Sequence, residues 1–249
     1  MGSNLRIAVS GTYSTGKTTT AEALSILTGI PRVYARTARM LMPVYFPNKT
    51  LEQCSPFELM ELELRKFNER IIHECKIDGG FITDGSSIHE YVYALARIKF
   101  GMNPSANLVE RSIKKLIMLP FKPVFKGINE CFGSIVKSHA KDTYDSFIHL
   151  PIEFPIVKDG HRPFNEKFRK ICDECILSTI EELGINYYVV TGSIEERLEK
   201  IVNIYGFEPV TTIEAAVSEA KRRQQAEMIA RERPQANYIR KNSADGLKA

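Results

Sequence analysis

Eight consecutive residues near the start of the chain, Gly11-Thr12-Tyr13-Ser14-Thr15-Gly16-Lys17-Thr18, carry the spacing G-x-x-x-x-G-K-[ST]. Glycines at both ends let backbone N–H groups converge on an anion, and a following helix adds the partial positive charge of its N-terminus. A lysine at the seventh position reaches the β- and γ-phosphates of a nucleoside triphosphate, and a threonine at the eighth offers its hydroxyl to Mg²⁺. The expected chemistry is binding of ATP with Mg²⁺, with Gly11, Tyr13, Ser14, Thr15, Gly16, Lys17, Thr18 and Thr19 around the phosphates. A chance match of the four fixed positions arises in on the order of one chain in a hundred of this length.

Asp84 follows the apolar run Phe81-Ile82-Thr83. A carboxylate at the end of a parallel strand beside a phosphate loop sits where Mg²⁺ and an attacking hydroxyl meet, so Asp84 is a candidate metal ligand or base. The competing reading is a plain Asp84-Gly85 turn leading into the next helix. Arg162, in Lys158-Asp159-Gly160-His161-Arg162-Pro163, is the candidate to close over a transferring phosphoryl group and exclude water. Lys167 and Arg169, just beyond, read equally well as solvated side chains. Arg36 and Arg39 share a helical face and are candidates to clamp an anionic group of an acceptor. Cys172 and Cys175 have the spacing of a metal half-site but lie inside a helical pattern with no second pair, which favours burial over coordination. Tyr91, Tyr93, Phe100, Phe121, Phe125 and Phe132 recur at helical spacing and read as core.

The flanking elements must position these groups. Leu5 to Ser10 is a short apolar strand, and Ala21, Leu24 and Leu27 mark the helix after the loop. A second strand is expected at Ile30 to Tyr34, then a helix through Arg36, Arg39 and Leu41 that Pro43 and Pro47 end. Ser55-Pro56-Phe57-Glu58 is a capping box opening a helix to about Lys76, and Ser87 to Glu90 is a second box after the Phe81–Asp84 strand. Strands are expected at Tyr144 to Leu150 and Tyr187 to Val190, with helices at Glu166 to Leu183, after Ser193, and from Thr211. This β-α order implies an α/β fold. One domain is expected over residues 1–233, with a helical stretch about 86–141 on the acceptor side, a lid about 155–169, and a flexible basic tail over 234–249.

The 249 residues are 43% hydrophobic and 26% charged, enough for one sizeable core. The net charge of +4 suits phosphorylated ligands without demanding nucleic acid. Five dispersed cysteines do not make a disulfide framework, and no run approaches the roughly 18 apolar residues of a membrane span, so a soluble cytoplasmic protein is expected. A dimer is compatible with this composition.

The loop Gly11–Thr18, the Ala38-Arg39 pair, Thr83-Asp84, the segment from Tyr144 to Arg162, and Thr191 to Arg197 together resemble the small P-loop kinases of the nucleoside and nucleotide kinase group. Among these they are most similar to ribosylnicotinamide-kinase-like ATPases of AAA-domain type. The resemblance implies a three-layer P-loop NTPase fold with parallel sheet order 2-3-1-4-5. It also implies that Asp84 assists the acceptor and the metal, that Arg162 contacts phosphates, and that Thr191 to Ser193 lie near the adenine. That group commonly has glutamate where this chain has Arg36, which favours an acceptor that is itself anionic. Two rivals stand beside a phosphotransferase: an ATPase switch, and a polynucleotide kinase using the basic residues Lys221-Arg222-Arg223 and Arg231 onward.

Overall fold

The computed structural model describes residues 4–50, 53–100, 122–156 and 166–232. Five strands, β1 (Arg6–Ser10), β2 (Arg32–Val33), β3 (Phe81–Asp84), β4 (Ser146–His149) and β5 (Asn186–Val189), form one parallel sheet in the order β2-β3-β1-β4-β5. In register, Val9 lies beside Asp84 and Ser10 beside His149, so the phosphate loop leaves the sheet between two polar strand ends. The crevice outside the carboxyl ends of the strands, where the order reverses, is where α/β sheets take ligands.

The helices are α1 (Lys17–Thr28), α2 (Ala38–Tyr45), α3 (Pro56–Glu74), α4 (Ser87–Phe100), α5 (Lys122–Thr143), α6 (Glu166–Leu183), α7 (Ile194–Tyr205) and α8 (Ile213–Glu232). Alternation along β1 assigns them to two layers. Ile7 and Val9 turn to one face, where Leu24 and Leu27 of α1, Leu198 and Ile201 of α7, and Val217 and Ala220 of α8 bury them. Ala8 turns to the other, with Phe81, Phe147, Val92 and Tyr93 of α4, and Phe168 and Ile176 of α6. Burial of these side chains, each worth about 1.5–3 kcal/mol when complete, holds the sheet between its layers.

Local signals explain most element ends. Ser55–Glu58 and Ser193–Glu196 both form reciprocal capping boxes, as their spacing predicts. The box expected at Ser87–Glu90 does not form; one residue earlier the Ser86 N–H donates to His89 Nδ1 at 2.9 Å. Glu90 is unavailable because it faces Arg70 of α3. The expected stop at Pro43 also fails, since α2 continues to Tyr45 with the proline inside it. Leu41, Met42 and Phe46 pack against Leu59 and Leu62, and that apolar contact carries the helix past the missing N–H.

Candidate nucleotide and phosphoryl-transfer site

The loop after β1 adopts backbone that its residue types permit. Gly11 has φ 131° and Gly16 φ 86°, the latter as N-cap of α1, and a Cβ on Gly11 would collide with the Leu150 carbonyl oxygen. Ser14, at φ 58°, is a serine in the same left-handed region, a strain that loops holding ligands commonly store. Thr15 Oγ1 donates to the Thr12 carbonyl at 3.1 Å, and Lys17 Nζ donates to that same carbonyl, folding its ammonium over the loop. Tyr13 stacks on Tyr93 at 4.9 Å between ring centroids and, beyond it, on Phe168 at 6.4 Å, tying the loop tip to α4 and α6.

Two further contacts brace the loop from below. Arg197 of α7, almost fully buried, donates to the Thr15 carbonyl at 2.6 Å and to Glu153 Oε2 at 2.7 Å. Glu153 in turn accepts from the Gly192 N–H at 3.1 Å, so the segment after β5 is fastened to the same point. His89 of α4 donates from Nε2 to the Gly11 carbonyl at 3.1 Å while its Nδ1 accepts from Ser86, an arrangement that requires the neutral ring. Burial first, and then the charges of Lys17 and Arg70, push the His89 pKa well below its usual value. The neutral ring joins the phosphate loop to the turn after Asp84.

Asp84 meets the loop directly: Thr18 Oγ1 donates to Asp84 Oδ2 at 2.6 Å. Two hard oxygen groups thus converge where β1 and β3 end, which fits the one or two protein oxygens with which Mg²⁺ is usually held beside nucleotide phosphates. Thr18 and Asp84 are the residues that would hold it. Behind Asp84 lies Arg70, buried, donating to Thr83 Oγ1 at 2.7 Å, to the Asp84 carbonyl at 3.3 Å and to Glu90 Oε1 at 3.2 Å. Burial opposes its charge, but Glu90, Tyr144 and Glu74 outweigh that opposition and raise its pKa.

The remaining expected residues are placed differently. Arg36 forks onto Glu69 of α3, through Nε at 2.9 Å and through Nη2. Arg39 belongs to α2, but its side chain lies outside the described structure, as do Arg162 and the segment 157–165 entirely. Arg169 is fully buried, not solvated, and donates to the Phe154 carbonyl at 2.6 Å. Cys172 and Cys175 pack into the α4–α6 side of the core, and no cluster of three His, Cys, Asp or Glu side chains suited to a metal occurs among the described residues. Tyr93, Phe125 and Phe132 are core, while Phe121 and the Phe100 side chain lie outside the described residues. Lys221 pairs with Glu195 at 3.9 Å, and Arg222 and Arg223 both pair with Glu219, so much of that basic stretch is offset within the chain. Among the described residues no helix is long and apolar enough to cross a membrane.

Arg70, Arg197 and His89 support the candidate site through contacts that spacing does not reveal. Each sits in an amphipathic helix where a charged or polar residue reads as surface, and only pairing with distant partners buries it.

A sequence comparison with curated proteins gives no match. Among solved structures the chain is similar to deoxyadenosine kinase from M. mycoides with bound dATP, at 13% identity and TM-score 0.57, over 81% of this chain and 99% of that one. It is also similar to NadR in complex with NAD and AMP-PNP, at 16% identity and TM-score 0.55, over 85% of this chain. It spans 52% of the NadR chain. Likeness at such identities speaks for the fold, here that of P-loop nucleoside kinases. Residues 6–197 match the AAA domain family, a span that runs from β1 through the loop and Asp84 to the bracing Arg197. The chain belongs to the AAA domain family of P-loop proteins.

Proposed function

We propose that the chain transfers the γ-phosphoryl group of ATP to a hydroxyl of a small-molecule acceptor, a nucleoside, a nucleotide or a related anionic metabolite. The observation that carries this reading is the 2.6 Å contact between Thr18 of the phosphate loop and Asp84 at the end of β3. It gathers a phosphate cradle, a lysine and a carboxylate at one strand edge, which are the parts that in-line phosphoryl transfer needs. Backbone N–H groups of Gly11 to Thr18 hold the donor phosphates, and Lys17 turns from the Thr12 carbonyl to the β- and γ-oxygens. Mg²⁺, when bound, offsets the charge on those oxygens. Asp84 orients the acceptor hydroxyl, whose oxygen forms the new bond to phosphorus as the bond from the γ-phosphorus to the ADP oxygen breaks. The hydroxyl proton passes to Asp84 or to solvent. Arg162 is the candidate to contact the transferring phosphoryl group.

Because Glu69 already offsets the charge of Arg36, neutral nucleosides stand beside anionic acceptors in the test. ADP release is to be measured with ATP and Mg²⁺ across nucleosides, nucleoside monophosphates, ribosylnicotinamide and short oligonucleotides. Expected is strong stimulation by one acceptor class, reduced on the order of 100-fold or more by Lys17→Ala and by Asp84→Asn. Uniform ADP release that ignores every acceptor would replace the transferase with an ATPase switch.

A further inference from the structure

The family match ends at Arg197, yet α8, which follows it, touches the phosphate-loop helix at two polar points. Thr19 Oγ1 donates to Gln224 Oε1 at 2.9 Å, one residue beyond Thr18. Arg223 Nη1 donates to Glu22 Oε1 at 3.0 Å. Glu22 is 3% exposed, and a carboxylate so buried requires its donors. Its other oxygen accepts from Arg32 Nη1, and the Tyr34 hydroxyl reaches both oxygens at 3.2 and 3.3 Å. Arg32 also lies over the Tyr34 ring, at 4.9 Å from its centroid. From this fixed position it brings Nη2 within 3.7 Å of Asp84 Oδ2, the same oxygen to which Thr18 donates. Charges therefore alternate from a surface helix to the site: Arg223, Glu22, Arg32, Asp84.

We infer that Arg32 is a positioning residue for Asp84, that Glu22 and Arg223 hold it there, and that α8 is thereby part of the phosphoryl-transfer site. The inference rests on the transferase reading above. At 3.7 Å, Arg32 acts on Asp84 as a nearby charge more than as a hydrogen-bond donor, and a charge is effective only if its place is fixed. Glu22 fixes it from within the fold, and Arg223 secures Glu22 from the surface. Lysine would keep the charge but has no planar fork to serve Glu22 and Asp84 together.

The test is calorimetric titration of ATP into the full chain with and without Mg²⁺, alongside thermal midpoints. Arg32→Gln is expected to weaken Mg²⁺-dependent ATP binding about tenfold and Arg223→Gln about threefold, the scale of removing or loosening one charged interaction, with Arg32→Lys between. In an Asp84→Asn background Arg32→Gln has no further effect, because the group it positions has lost its charge. An effect of equal size in both backgrounds overturns the inference. If Arg32→Gln does not fold, Arg223→Gln, at a half-exposed position, carries the same cycle. A parent that binds ATP with Mg²⁺ while both variants leave binding unchanged overturns the inference alone. A parent that shows no such binding overturns the transferase reading and the inference together.

Discussion

The two faces of the sheet bury different chemistry. On the α1 side the core is aliphatic, with Ile7, Val9, Leu24, Leu27, Ile82, Leu198 and Ile201 in one cluster. On the α4 side aromatic rings share the interior with Arg70, Glu74, Glu90 and His89, and Tyr144 donates to Glu74 at 2.8 Å. Aliphatic packing is non-directional and tolerates small shifts, so it serves a scaffold. A buried network of charged donors and acceptors holds only one arrangement well, and this network ends on Thr83, the Asp84 carbonyl and Gly85. The backbone that carries the candidate catalytic carboxylate is therefore held from the polar face, while the carboxylate oxygen itself meets Thr18 and Arg32.

Truncations on the two faces would separate these roles. Arg70→Ala leaves Glu74 and Glu90 without their guanidinium and is expected to cost about 4 kcal/mol in denaturant unfolding. The same variant also lowers acceptor-dependent ADP release in the fraction that remains folded. Leu24→Ala, on the aliphatic face, should cost about 3 kcal/mol through its cavity while the folded fraction keeps parental turnover per molecule. Equal loss of turnover in both variants would erase the contrast between the faces.

A smaller effect should follow from His89. Its pKa in the folded chain is depressed, so below an unfolded-state value of about 6.5 the unfolded chain binds a proton that the folded chain refuses. This contribution is complete above that pH and is lost as the pH falls. The thermal midpoint should drop between about pH 7 and about pH 5.5, as the unfolding free energy falls by up to about 1.4 kcal/mol per pH unit. In His89→Gln, which retains an N–H for the Gly11 carbonyl, the drop should shrink. An unchanged slope would remove His89 from the polar face's pH response.

Legibility in the sequence follows the range of the interactions. The phosphate loop, the Asp84 strand end and the boxes at Ser55 and Ser193 depend on neighbours within a few residues, and each is readable from spacing. The β-α alternation and the five strands are readable for the same reason, although β2 pairs over only Arg32 and Val33 because the chain leaves the sheet at Tyr34. Pairings across distance are not readable. Arg70 reaches Glu90 across 20 residues, Arg36 finds Glu69 across 33, and Arg197 finds Thr15 across 182. Nothing in the local pattern distinguishes Arg70 and Arg197 from surface arginines on an amphipathic helix, Arg36 lies just before α2 rather than on the expected helical face, and the contact of Ser86 with His89 accompanies one of these distant demands on Glu90.

The bracing of the phosphate loop by Arg197, and of α1 by Gln224 and Arg223, has a consequence for synthesis on the ribosome. The loop is translated well before its ties: the guanidinium that donates to the Thr15 carbonyl is encoded 182 residues later, and the Thr19 partner 205 residues later. A nascent chain that has passed the loop and even the whole of β4 still lacks these ties, so the nucleotide cradle is written first and completed only once α7 and α8 have followed it.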